Sequence, residues 1–144
     1  MTASLRRPLV AALACLTVLG GAAMAAAETV NLKADLKASN EVPPNDSAGT
    51  GAVTATYDTA TKKLTWKGSY SNLTGPAVAA HFHAGEAGKN GGIQVPITGA
   101  GSSPFEGSAT LTDAQASDLL AGRLYVNIHT AAHTAGEIRG QVLK

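Results

Sequence analysis

The chain has 144 residues, with 11 Lys and Arg against 10 Asp and Glu, and a single cysteine. A balance so near neutral excludes a nucleic-acid partner, which needs a basic surface. One thiol excludes a disulfide framework.

The chain opens with a leader pattern. Arg6 and Arg7 precede an apolar run over residues 9–20, small residues fill 22–27, and the first acid is Glu28. That order predicts a secretory signal peptide over residues 1–27, cut after Ala25 or, preferably, Ala27. The apolar run is too short for a membrane span. The expected mature protein is one exported domain, residues 28–144, periplasmic or secreted. Cys15 falls in the leader. With Arg6 and Arg7 gone, nine of the 11 basic residues remain against all 10 acids, a net charge of −1.

The rest reads as strands. Val30, Leu32, Ala34, Leu36 and Ala38 alternate with polar residues, the period of a half-buried strand. Residues 41–46 break it with Pro43, Pro44, Asn45 and Asp46. A second strand runs over 51–57 and a third over 64–70, joined by a hairpin loop. A fourth covers 78–84, followed by the glycine-rich stretch 85–92. Residues 93–97 form a short strand that Pro96 marks as an edge or a bulge, and 105–111 form another. Thr112 and Gln115 make a capping-box pattern that opens a short helix over about 113–120. Residues 124–129 and 137–143 are the last strands. About seven to eight short strands with frequent turns predict an all-β, antiparallel, Greek-key-like β-sandwich with one short α-helix.

All four histidines lie in two short segments, His81 and His83 in one, His129 and His133 in the other. Strand alternation places Val78, Ala80 and Phe82 on the core side, and His81 and His83 opposite. In the next-to-last strand Leu124, Val126 and Ile128 face the core, so Tyr125, Asn127 and His129 share the polar side. In the last strand Ile138, Gly140 and Val142 oppose Glu137 and Arg139. If these strands are neighbours, His81, His83, His129 and Arg139 converge. Histidines at i and i+2 have Cα atoms about 6.5–7 Å apart, a span two imidazoles can bridge to one ion. His133 is a loop residue that either folds back as a fourth ligand or hangs free. Without cysteine, imidazole is the mature chain's good ligand for a transition metal. The competing expectation is a set of solvated polar side chains on a wet sheet face. For Glu137 and Arg139 that means a surface ion pair worth about 0–1 kcal/mol. Trp66 is expected in the core, and Glu41 has no functional case beyond a bond to a nearby backbone amide. No nucleophile elbow or phosphate loop is present, so hydrolase chemistry has no support.

Four motifs in order resemble the CHRD family, the domain of chordin and of small exported bacterial proteins. They are Asn40-Glu41-Val42-Pro43-Pro44, Ala80-His81-Phe82-His83-Ala84-Gly85, the run from Gly122 to Thr130, and Gly136-Glu137-Ile138-Arg139-Gly140-Gln141. The resemblance spans about residues 30–144 and implies an exported domain, used elsewhere as a structural or interaction module. A more distant likeness is to copper-zinc superoxide dismutases, carried by His81-x-His83 before a glycine-rich loop, Gly122-Arg123 and His129. It implies that His81, His83 and His129 are copper ligands and that Arg139 guides an anion. The bridging histidine, the zinc site and the disulfide of that family are missing. Dismutase-like activity is the only reaction this suggests. Copper is the expected ion and zinc the alternative, with His81, His83, His129 and His133 as ligands. Arg139, Glu137, Tyr125 and Asn127 would support them.

Overall fold

The computed structural model describes residues 26–144; the leader lies largely outside them. Eight strands form in chain order: β1 (Thr29–Lys37), β2 (Thr50–Asp58), β3 (Lys63–Ser71), β4 (Ala77–Ala84), β5 (Ile93–Pro96), β6 (Phe105–Thr110), β7 (Leu124–Thr130) and β8 (Ile138–Gln141). A 3₁₀ turn, Ala38–Asn40, follows β1, and one helix, α1 (Asp113–Leu120), lies between β6 and β7. The architecture is all-β and antiparallel with one short helix, as the strand pattern predicts. The strands belong to one continuous sheet, ordered β5-β4-β7-β8-β1-β2-β3-β6 and curled into a nearly closed barrel.

Alternation builds the core. Leu32, Leu36, Tyr57, Leu64, Trp66 and Phe82 are buried, with Leu124, Val126, Ile128 and Ile138 behind them. Each such side chain contributes about 1.5–3 kcal/mol through the apolar surface it removes from water. Trp66 and Phe82 meet edge to face at 5.1 Å, joining the two halves of the sheet. Thr112 caps α1 as the sequence predicts: its hydroxyl accepts from the Gln115 amide, and the Gln115 side chain accepts from the Thr112 amide. The helix buries Ala116 and Leu119. Gln115 also donates to the Gln94 carbonyl of β5, so α1 bridges the gap between the β5 and β6 edges. No helix among the described residues is long and apolar enough to cross a membrane.

One core assignment is corrected. Val78 is 62% exposed, whereas Ala77 is buried. The β4–β7 register shifts between Ala77 and Ala79. A bulge adds one residue and reverses the parity before it, so the alternation of Ala80 and Phe82 does not extend back to Val78.

Candidate metal centre

β4, β7 and β8 are neighbours, as convergence of the histidines requires. Cross-strand pairs put His81 beside Asn127 and Asn127 beside Arg139, and His83 beside Tyr125 and Tyr125 beside Gln141. His129 pairs with Ala79, completing the group on the same face. His81, His83 and His129 form a cluster in which one ring nitrogen from each lies within 4.8 Å of the other two.

Backbone carbonyls orient two of the rings. His83 Nδ1 is 2.9 Å from the Gly91 carbonyl, and His129 Nδ1 is 2.9 Å from the Thr134 carbonyl. A carbonyl only accepts, so both Nδ1 atoms carry the proton and both Nε2 atoms present a bare lone pair. His83 Nε2 is buried without a hydrogen-bond partner. His129 Nε2 lies 3.2 Å from His81 Nδ1. Two nitrogens of a tetrahedral site with metal–nitrogen bonds of about 2.0 Å stand about 3.3 Å apart. The spacing therefore suits either a His81-to-His129 hydrogen bond or an ion taking its place. Burial and the neighbouring imidazoles hold His81 below the usual histidine range. Burial, opposed by the Gly91 bond, also lowers His83. Neutral imidazoles are the form a metal needs.

The surrounding groups are sealed, which corrects the expectation of a wet face. His83 and His129 are each 9% exposed, and Tyr125, Asn127 and Arg139 are buried as well. The glycine-rich loop over residues 85–92 is one cover. Gly91 is its pivot: its carbonyl accepts from His83, and its amide donates to the Tyr125 hydroxyl. A Cβ at Gly91 would fall 1.5 Å from the Ala84 carbonyl oxygen, so only glycine allows this approach. The Tyr125 ring stacks on His83 at 5.0 Å, nearly parallel, and carries the Arg139 guanidinium on its other side at 3.4 Å. Arg139 also donates to the Asn90 side chain and to the Glu86 and Lys89 carbonyls. The second cover, residues 131–136, is tied down by His129 and by Asn127, which donates to the Ala135 carbonyl.

Glu137 and Arg139 are not the surface ion pair the alternation suggests. β8 begins at Ile138, so strand parity does not govern Glu137. Its fully buried carboxylate accepts from Ser47, from Thr130 and from both the amide and hydroxyl of Thr74. Burial pushes its pKa up, but these four donors outweigh it and hold the carboxyl at about 2. His133 is not in the three-histidine cluster. Reciprocal backbone bonds with Thr130 hold it on the turn after β7, where it lines a surface cleft with Glu41 and Pro43.

Glu41 is the residue that sequence reasoning passed over. It is 6% exposed, and its Oε1 has no hydrogen-bond partner. Burial pushes its pKa up to about 7, against the lowering effect of the Arg139 charge and of the neighbouring Asn127 amide. A Cβ on Gly136, whose φ is +133°, would lie 2.4 Å from Glu41 Oε1 and 2.6 Å from Asn127 Nδ2. Glycine thus lets the acid and the amide meet. The available signal was its place in the Asn40-Glu41-Val42-Pro43-Pro44 motif; the polarity pattern held none.

Among known proteins, the family model described as CHRD domain matches residues 32–142. No curated protein and no solved structure matches the chain.

Proposed function

The chain belongs to the CHRD domain family, and from that premise we propose that it is an exported metal-binding domain. The ligands are His81, His83 and His129, and copper is the ion they suit best. The observation that carries this reading is the set of nitrogens turned inward. His83 Nε2 is buried with no partner, and the Thr134 bond leaves His129 Nε2 an acceptor that faces His81 Nδ1. A buried lone pair without a donor costs about 1–3 kcal/mol; a cation removes that cost.

Cu(II) binds a given nitrogen site more tightly than other common divalent ions, and zinc is the runner-up. A bound copper would supply Lewis acidity and one-electron chemistry. The protein's own part is to fix the rings. Gly91 and Thr134 set the tautomers, and Tyr125 sets the plane of His83. His81, only partly buried, can release its Nδ1 proton and take one up at Nε2 from solvent when an ion displaces the His129 bond, so that it stays a neutral imidazole. The dismutase-like reading has less support, because Arg139 is spent on the loop carbonyls and Tyr125 rather than open to an anion.

The test is titration of residues 28–144 with Cu(II), followed by paramagnetic resonance, on wild type and on a His81→Ala/His83→Ala variant. One equivalent should bind with nitrogen hyperfine structure, and the variant should lose at least about a hundredfold in affinity. Undiminished binding by the variant would move the site elsewhere. No binding by wild type would leave the metal-free interaction module.

A further inference from the structure

The candidate centre contains three neutral imidazoles and no carboxylate ligand. Arg139, fixed on the same sheet face with Asn127 between it and His81, adds a positive charge nearby. A divalent ion there would leave a largely buried region carrying three positive charges, which a low-dielectric interior tolerates poorly. Two acids are buried among the described residues, Glu41 and Glu137. Glu137 is saturated by four donors on a separate cluster of hydroxyls and an amide.

Glu41 is built toward the histidines. The 3₁₀ turn before it is pinned to β8 by Asn40, whose side chain donates to the Arg139 carbonyl at 3.0 Å. A Cβ on Gly136 would touch both Glu41 Oε1 and Asn127 Nδ2, which places the acid beside the amide. The other end of that amide, Oδ1, is buried without a partner, as is Nε2 of the adjacent His83. Asn127 therefore spans the distance between the acid and a ligand, with both lone pairs on the ligand side uncompensated.

We propose that Glu41 is the counter-charge of the metal centre, transmitted through Asn127, and that it selects a divalent over a monovalent ion. This rests on the metal-binding reading above. Glu41 touches no ligand; it acts as a positioning and electrostatic residue. Its effect follows from Coulomb's law: the energy of a fixed negative charge doubles when the ion's charge doubles. Two charges about 10 Å apart at an effective dielectric near 20 attract one another enough that losing one costs about tenfold in affinity for a monovalent ion and about a hundredfold for a divalent one.

The experiment compares wild type and Glu41→Gln at pH 8.5, titrating each with Cu(II) and, anaerobically, with Cu(I). The expected result is about a hundredfold loss for Cu(II) against about tenfold for Cu(I), with the nitrogen hyperfine pattern unchanged. That tenfold difference equals a rise of about 60 mV in the copper midpoint potential. Equal losses for the two ions, or none, overturn the proposal while leaving the metal-binding reading intact. Failure of wild type to bind copper overturns both. If Glu41→Gln does not fold, Glu41→Met carries the same comparison, since it fills the volume with no polar group to satisfy.

Discussion

The two halves of the sheet treat their polar side chains in opposite ways. In β1, β2 and β3 the polar residues Asn31, Lys33, Thr54, Thr56, Thr65 and Lys67 face solvent, and burial alternates residue by residue. In β7 every residue is buried, polar and apolar alike. The strands obey the same alternation; what differs is what lies above them. Residues 38–46, 85–92 and 131–136 fold over β4, β7 and β8, and among the described residues nothing comparable covers β1 to β3. A polar group on the open half keeps its water, while one on the covered half must find a partner inside the protein. Hence the covered half carries defined tautomers, a stacked guanidinium and two buried acids.

Three substitutions test that contrast, in falling order of effect. Glu137→Ala removes the acceptor of the Thr74 amide and of three hydroxyls, and should cost about 3 kcal/mol or more in urea unfolding. A loss under about 1 kcal/mol would mean that water enters and the cover is leaky. The same carboxyl predicts acid sensitivity. Its folded value of about 2 lies below its ordinary 4.5, so its contribution is complete above about pH 4.5 and disappears as pH falls toward 2.

Glu41 has the reverse sign and a smaller effect. Its folded value, about 7, lies above its ordinary 4.5. Between those values the folded state holds a proton that the unfolded chain has lost, so this group's contribution to stability falls as pH rises from about 4.5 to 7. His81 and His83, lowered in the folded state, work the other way over part of that range. Because they are common to both proteins, they cancel when metal-free wild type is compared with Glu41→Gln. The variant should gain on wild type steadily between pH 4.5 and 7; a difference that stays flat across the window would refute the buried, strained acid.

Thr54→Ala, on the open half, should change stability by less than about 0.5 kcal/mol, because its hydroxyl leaves water for nothing. A larger loss would show that the exposed face is covered in solution too.

Much of this was legible in advance. Alternation in β1, β2, β3 and β7, the Thr112–Gln115 capping box and the edge character of Pro96 all depend on residues close in sequence, and all appear in the structure. The shared face of His81, His83 and His129 was likewise readable, because strand parity is a local property. Parity could not foresee the bulge that turns Val78 outward, nor that β8 would start after Glu137. Both are decided by pairing with a strand distant in sequence.

The sequence by itself determined the strands, their apolar faces and the three imidazoles on one side. Only the tertiary structure decided that this side would be closed. Closure depends on loops that carry no periodicity, and on glycines 91 and 136, whose missing side chains admit a carbonyl and a carboxyl. Burial then turns ordinary polar residues into groups that need a partner, which is why Glu41, silent in the sequence, became a buried acid beside Asn127 and Arg139.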